Sequence, residues 1–123
     1  MDADIACGRQ VESPYVELAV EVFSMLADAT RVRIVLALSE GEWAVNDLAE
    51  RVGKSSAAVS QHLAKLRLAR VVATRQEGTR VFYRLTNEHA RQLVADAIFQ
   101  AEHQLGGNPA HHHEDTARAD RPA

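Results

Sequence analysis

The sequence predicts a mainly α-helical fold with one β-hairpin, arranged as a winged helix-turn-helix. Apolar residues recur at helical spacing in four segments before residue 69. The period changes to the alternation of a β-hairpin between residues 71 and 85, and helical spacing then returns up to residue 106. The expected order is therefore helix, helix, short helix, turn, helix, hairpin, helix.

The first two helices are indicated by their start signals. Ser13 followed by Pro14 is typical of a helix start, because a hydroxyl caps free N–H groups and proline fits the first helical position. The second helix has Asp28 and Thr30 as candidate caps and is expected to stop near Gly41. The apolar positions are Leu18, Val22, Met25 and Leu26 in the first helix and Ile34, Val35, Leu36 and Leu38 in the second.

The next two helices are separated by a tight turn. The third begins near Asn46 and ends at Gly53, and the residues Lys54-Ser55-Ser56 form the turn. The fourth helix covers about residues 55–68. The inward positions are Leu48, Ala49 and Val52 in the third helix and Val59, Leu63 and Leu66 in the fourth.

The hairpin and the last helix complete the fold. The first strand is predicted at residues 71–74, the turn at residues 76–79 and the second strand at residues 80–85. Val81, Tyr83 and Leu85 are expected on one face of the second strand. The last helix is expected to begin at Thr86 or Asn87 and to end at residues 106–109, and its apolar residues are Ala90, Leu93, Val94, Ala97, Ile98, Ala101 and Leu105.

Length and composition limit the class of protein. With 123 residues, 46% apolar and 25% charged, the chain fits one globular domain and excludes a disulfide scaffold. We expect a flexible leader at residues 1–12, a DNA-binding and dimerisation domain at residues 13–106, and a flexible histidine-containing tail at residues 107–123. The single cysteine, Cys7, and the lack of a signal peptide or membrane span favour the cytoplasm. No phosphate loop or nucleophile motif suggests an enzyme.

Charge is unevenly distributed along the chain. The net charge is −3, which argues mildly against a nucleic-acid binder. Residues 51–84 nevertheless carry net +7, with Glu77 as their one acidic residue, and the rest of the chain carries −10. Such a block is typical of polyanion binding, although charge alone equally fits a solvated basic face. Its basic residues are Arg51, Lys54, Lys65, Arg67, Arg70, Arg75, Arg80 and Arg84.

In a helix-turn-helix the second helix enters the major groove of double-stranded DNA with its N-terminal residues at the bases. The short polar side chains predicted there are Ser55, Ser56, Ser60 and Gln61. Gln61 suits bidentate pairing with adenine, and Lys54, Lys65 and Arg67 suit phosphates. The hairpin forms the wing, with Arg75, Thr79 and Arg80 near DNA. The alternative is that the serines are helix caps and surface residues, and His62 is expected to pack or touch phosphate rather than bind metal.

Four segments carry a resemblance to a known family. They are A-D-A-T-R-V-R-I-V at 27–35, V-N-D-L-A-E at 45–50, S-S-A-A-V-S-Q-H-L-A-K-L at 55–66 and G-T-R-V-F-Y-R-L at 78–85. The sequence resembles the ArsR/SmtB family of metal-sensing repressors over roughly residues 16–105. The resemblance implies a dimeric winged-helix repressor that releases operator DNA when a metal binds. Residues 43–47 lack the cysteine pair of the arsenic- and lead-sensing branch, and Ala69-Arg70 replaces a common Ala-Gly helix end.

Histidines cluster toward the end of the chain. Five of the six are His89, His103, His111, His112 and His113. On a helix, His89, Asp96, Gln100 and His103 share one face, but His89 and His103 lie about 21 Å apart along the axis. One ion cannot touch both in one chain. An antiparallel copy of the same helix would bring His89 beside His103 of the partner, so the spacing indicates a homodimer with two symmetric intersubunit sites.

The resemblance implies that these sites bind a metal. The family pattern places ligands at Asn87, His89, Gln100 and His103, where Asn87 and Gln100 replace stronger ligands. The nickel- and cobalt-sensing branch fits best, and it carries the ligand role to His89, Glu102, His103, His111 and His112. A nitrogen and oxygen donor set without sulfur suits Ni²⁺ or Co²⁺, with Zn²⁺ less favoured. The open alternatives are a zinc-responsive repressor of the same family and a winged-helix regulator with no metal role.

Overall fold

The computed structural model describes residues 10–106, and the chain divides after Asn87 into two compact units. The described part of the first unit contains five helices, of which the first is a 3-10 turn, and three strands. They are the 3-10 turn Gln10–Glu12, α1 Val16–Leu26, α2 Ala29–Leu38, β1 Trp43–Ala44, α3 Val45–Val52, α4 Ser56–Leu68, β2 Val72–Glu77 and β3 Arg80–Leu85. The described part of the second unit contains α5, His89–Gly106. The 3-10 turn comprises the last three residues of the predicted leader, and the predicted tail lies outside the described residues.

Helix α2 begins where its cap was predicted, and α1 does not. The Asp28 carboxylate accepts a hydrogen bond from the Arg31 backbone N–H at 3.0 Å, which caps α2. The prediction that α1 begins at Ser13-Pro14 is wrong by two residues. The Ser13 hydroxyl accepts instead from the Tyr15 N–H at 3.0 Å, and the Ser13 carbonyl accepts from the Val16 N–H at 3.3 Å. These bonds close a turn ahead of the helix.

The helix-turn-helix is formed by α3 and α4. Gly53 has a left-handed φ of 73°, and the Lys54 N–H donates back to the Ala49 carbonyl at 3.0 Å, so α3 ends in a Schellman turn. The Ser55 hydroxyl then accepts from the Ala58 N–H at 3.1 Å and starts α4. The predicted turn and both helices are confirmed. The largest fully buried side chains, which form the core between α2, α3 and α4, are Ile34, Val35, Leu48, Val59, Leu63 and Leu66.

The hairpin is confirmed, but the sheet has three strands. The order is β1-β3-β2, all antiparallel, and Trp43 and Ala44 pair with Tyr83 and Phe82. The sequence prediction of two strands missed β1, because two residues show no alternation. The predicted four-residue turn is also wrong: Glu77 pairs with Arg80, so the turn is two residues, and Gly78 supplies its φ of 63°.

Helix α5 begins later than predicted. Thr86 donates its N–H to the Val71 carbonyl at 3.1 Å and its hydroxyl to the Arg70 carbonyl at 2.9 Å, so it continues the sheet region instead of starting a helix. Of the predicted apolar positions on α5, Ala90 and Val94 are buried. The others are exposed, and these are Leu93, Ala97, Ile98, Ala101 and Leu105. Among residues 10–106, no helix is long and apolar enough to cross a membrane.

Candidate nucleic-acid interface and metal ligands

The face of α4 opposite the core is polar and exposed. Val59, Leu63 and Leu66 point into the core, which leaves Ser60, Gln61 and Lys65 on the exposed side. Within residues 10–106, the Ser60 and Gln61 side chains make no hydrogen bond, so their donors and acceptors are available to a ligand. This is the face that a recognition helix presents to the bases of a major groove.

The first two predicted contact residues have partners inside the protein. Ser55 caps α4 through its hydroxyl. Ser56 donates its hydroxyl to the Asn46 side-chain oxygen at 2.7 Å and so ties the start of α4 to the start of α3. The interpretation as a helix cap therefore describes the bond of Ser55, whereas Ser56 links two side chains.

The basic residues around α4 are not neutralised. Lys54, Lys65, Arg67 and Arg70 are exposed, and none forms an ion pair with another residue in the described part of the chain. Lys54 precedes the N-terminus of α4, and Arg67 and Arg70 lie at its C-terminal end. These side chains extend the polar face of α4 with positive charge at both ends, which suits the phosphates that flank a groove.

The arginines of the wing are paired. The Arg75 guanidinium donates to the Glu42 carboxylate at 2.9 Å and to Glu77 at 3.2 Å, and both bonds raise its pKa. Arg80 lies 3.6 Å from the Asp47 carboxylate. Both guanidiniums lie 4.9 Å from the centre of the Phe82 ring. Thr79 is exposed in the turn. Arg75, Thr79 and Arg80 therefore share the hairpin, but the two arginines carry less free charge than the sequence count suggested.

A polar contact fixes α4 to the helices before it. The Arg31 guanidinium donates to the Met25 carbonyl at 2.6 Å and contacts His62 Nδ1 at 3.2 Å. Because a guanidinium has no acceptor, Nδ1 accepts this bond and the neutral His62 ring carries its proton on Nε2. The Asp28 carboxylate lies 3.9 Å from the same nitrogen. His62 is thus a packed residue. The sequence analysis missed Arg31 as the partner of His62, and it missed Glu42 and Asp47 as the partners of the wing arginines.

The candidate metal ligands lie on α5. His89 is its first residue, and His89, Glu102 and His103 are exposed. His103 Nδ1 contacts the Phe99 carbonyl at 3.1 Å, and the two rings meet edge to face at 4.4 Å. Since a carbonyl only accepts, Nδ1 carries the proton in this bond, and Nε2 of the neutral ring keeps the lone pair that binds a metal.

Within the described residues, one chain does not bring the predicted ligands together. His89 and His103 are about 21 Å apart along α5, and residues 10–106 contain no group of three metal-binding side chains. His111 and His112 lie outside the described residues. The described ligands of one chain, His89, Glu102 and His103, therefore do not form a metal site by themselves.

Proteins of known structure share this fold. The fold and the exposed helix define a winged helix-turn-helix DNA-binding protein, and a homodimeric domain of that kind from Mycobacterium bovis is similar with a TM-score of 0.70 at 29% identity, covering 81% of this chain and 91% of that one. The repressor BigR from Xylella fastidiosa is similar with a TM-score of 0.61 at 30% identity, covering 85% and 96%.

Residues 28–74 match the family model for bacterial regulatory proteins of the arsR family. The transcriptional regulator KmtR of Mycobacterium tuberculosis is 63% identical over 95 residues, which cover 77% of this chain and 73% of the relative. A cadmium resistance regulatory protein CadC homolog of Staphylococcus aureus is 44% identical, covering 63% and 65%. The chain belongs to the ArsR family, which confirms the predicted family and shows that it is a regulator and not an enzyme.

Proposed function

We propose that this protein is a metal-responsive transcriptional repressor, which binds operator DNA as a homodimer and releases it when Ni²⁺ or Co²⁺ binds to intersubunit sites on α5. The observation that carries the DNA part is the exposed face of α4, with Ser60 and Gln61 unbonded within the described residues and unpaired basic residues at both ends. Relatives named as regulators and repressors, among them SmtB of Mycobacterium tuberculosis, support the same role.

The dimer is supported by apolar side chains that residues 10–106 of a single chain leave uncovered. On α1, Leu18, Val20 and Phe23 are each more than half exposed. On α5, Phe99 and Leu105 are also more than half exposed. Five exposed apolar side chains on two helices are typical of a surface that binds another protein chain. We propose that both terminal helices contribute to the dimer, and the similar domain from Mycobacterium bovis is homodimeric.

The metal part rests on His103. His103 is exposed, and its Nε2 keeps its lone pair while Nδ1 donates to the Phe99 carbonyl. His89 lies on the same face of α5, so an antiparallel partner helix supplies the second imidazole. We propose Glu102, His111 and His112 as further ligands. The donors are nitrogen and oxygen without sulfur, and a set of more than four favours six-coordinate Ni²⁺ or Co²⁺ over tetrahedral Zn²⁺.

A DNA-release titration tests the proposal. A duplex from the chain's own promoter is bound by the metal-free protein, and Ni²⁺, Co²⁺ and Zn²⁺ are added separately. Wild-type protein should release the duplex with Ni²⁺ or Co²⁺, His103→Ala should bind but not release it, and Gln104→Ala, an exposed neighbour, should behave as wild type. Release that persists in His103→Ala contradicts the assigned ligand. A DNA affinity that stays at its metal-free value with all three metals favours a regulator with no metal role.

The Co²⁺ complex distinguishes the two metal hypotheses. Weak visible absorption bands indicate six-coordinate Co²⁺ and support the Ni²⁺ or Co²⁺ site. Intense bands indicate a tetrahedral site and favour the zinc-responsive alternative, for which His89 and His103 of two chains supply the imidazoles.

A further inference from the structure

One face of the wing sheet carries an alternating set of charges around a single ring. Arg75 pairs in register with Phe82, and Glu77 pairs with Arg80. Directly opposed residues project to the same face of a sheet, as do residues two apart along a strand. Arg75, Glu77, Arg80 and Phe82 therefore share one face.

Two carboxylates from outside the hairpin reach this face. Glu42, which precedes β1, accepts from Arg75 and lies 4.0 Å from Arg84. Asp47, in the first turn of α3, lies 3.6 Å from the Arg80 guanidinium. The second contact joins the wing to the first helix of the helix-turn-helix.

The two wing arginines are held very differently. Arg75 is fixed by two carboxylates within hydrogen-bond distance and by the Phe82 ring. Arg80 contacts the same ring, but its carboxylate partner in the described residues, Asp47, is beyond hydrogen-bond distance. The Arg80 and Asp47 side chains are both 60% exposed. Exposed pairs of this kind are weak and exchange readily, so Arg80 can be released and Arg75 is an anchor of the wing.

We propose that Asp47 limits the affinity of the wing for DNA by competing with a backbone phosphate for the Arg80 guanidinium. In the free chain the Asp47 carboxylate pairs with the Arg80 guanidinium. In the complex a DNA phosphate replaces the carboxylate as its partner, and the Phe82 ring contacts the guanidinium in both states. The inference rests on the proposed binding of DNA and names the residue that opposes it. Because the Asp47 carboxylate and the phosphate bind the same Arg80 guanidinium, removing the charge of Asp47 strengthens DNA binding.

The test measures binding of a labelled duplex of arbitrary sequence by fluorescence anisotropy between about 50 and about 200 mM salt. Four full-length variants are compared with wild type: Asp47→Asn, Glu50→Gln, Arg80→Gln and the double variant Asp47→Asn with Arg80→Gln. Glu50 lies on α3, one turn after Asp47, and has no ion-pair partner in residues 10–106, so Glu50→Gln controls for loss of the same charge from the same helix. Urea unfolding checks that each variant is folded.

We expect Asp47→Asn to raise the affinity about two- to fivefold, the range that corresponds to an exposed ion pair. The slope of log affinity against log salt should become more negative by about 0.9, the value for one phosphate contact. Glu50→Gln should have a clearly smaller effect, and Asp47→Asn should have none once Arg80 is Gln. Equal effects of the two charge removals, or an Asp47→Asn effect that persists without Arg80, would overturn the inference. Failure of the wild type to bind any duplex would instead refute the proposed function.

Discussion

Arg70 adopts a left-handed conformation that its side chain disfavours, and Arg70→Gly should therefore stabilise the fold. Its φ is 63°, which makes it the one non-glycine residue with positive φ in the described part of the chain. The position is the turn after α4, where the Val71 N–H donates to the Leu66 carbonyl and the Arg70 N–H to the Arg67 carbonyl, both at 2.9 Å. These are the two bonds of a Schellman turn, which usually places glycine here.

The size of the effect follows from the contacts of Arg70. Its side chain is exposed and forms no ion pair within residues 10–106, and its hydrogen bonds use backbone atoms that glycine retains. A left-handed residue with a Cβ costs about 1–2 kcal/mol, and the greater freedom of glycine in the unfolded chain offsets about half of that. A net gain of about 0.5–1 kcal/mol corresponds to a rise in Tm of about 4 °C for a domain of this size.

Urea and thermal unfolding at one fixed protein concentration measure the gain, because the proposed dimerisation would make stability concentration-dependent. Arg70→Ala is the matched control, since it removes the same charge and side chain but keeps the Cβ. Ala69→Gly, where φ is −82°, should destabilise. If Arg70→Gly is no more stable than Arg70→Ala, the left-handed turn stores no strain and the reasoning fails.

Three further predictions concern the Asp28 cap, the half-buried Arg31 and the salt dependence of DNA binding. The hydrogen bond from the Arg31 backbone N–H holds the pKa of Asp28 below its usual value. The stability that this bond contributes is therefore present above the pKa of Asp28 in the unfolded chain and is lost as pH falls through the lower pKa of the folded chain. The urea midpoint of wild type should fall toward that of Asp28→Asn below about pH 4. Arg31→Met should lower the free energy of unfolding by about 2 kcal/mol, because the Met25 carbonyl loses its donor. The salt dependence of duplex binding should correspond to about four phosphate contacts per chain.

Matched variants make the first two outcomes decisive. Arg33→Met removes a neighbouring exposed arginine on α2, which has no ion pair within residues 10–106, and should change stability little; an equal loss in both variants would contradict the role of the Arg31 bonds. For the cap, a wild-type and Asp28→Asn difference that stays constant from neutral pH to about pH 3 would show that the carboxylate charge does not matter.

Periodic segments were predictable from sequence, and contacts between distant segments were not. The core positions of α4, Val59, Leu63 and Leu66, follow from their spacing, since each faces the same side of a helix. Strand β1 escaped prediction because its two residues take extended structure only by pairing with β3. The Arg75 and Glu42 pair joins residues 33 positions apart, so no local pattern indicates it. The same limit applies to the proposed metal site, whose ligands lie on two chains.

Charge pairing decides how many basic residues are available to a polyanion. Of the eight basic side chains in residues 51–84, four already contact carboxylates, and these are Arg51, Arg75, Arg80 and Arg84. Three of the carboxylates, Glu40, Glu42 and Asp47, come from outside the segment. A phosphate that takes a paired arginine replaces one anion with another, so it releases few counterions. The unpaired residues flanking α4 should give a slope of log affinity against log salt of about −3.6 per chain, whereas engagement of all eight would give about −7. A measured slope near the larger value would show that DNA opens the ion pairs of Arg51, Arg75 and Arg84 as well as the Arg80 contact.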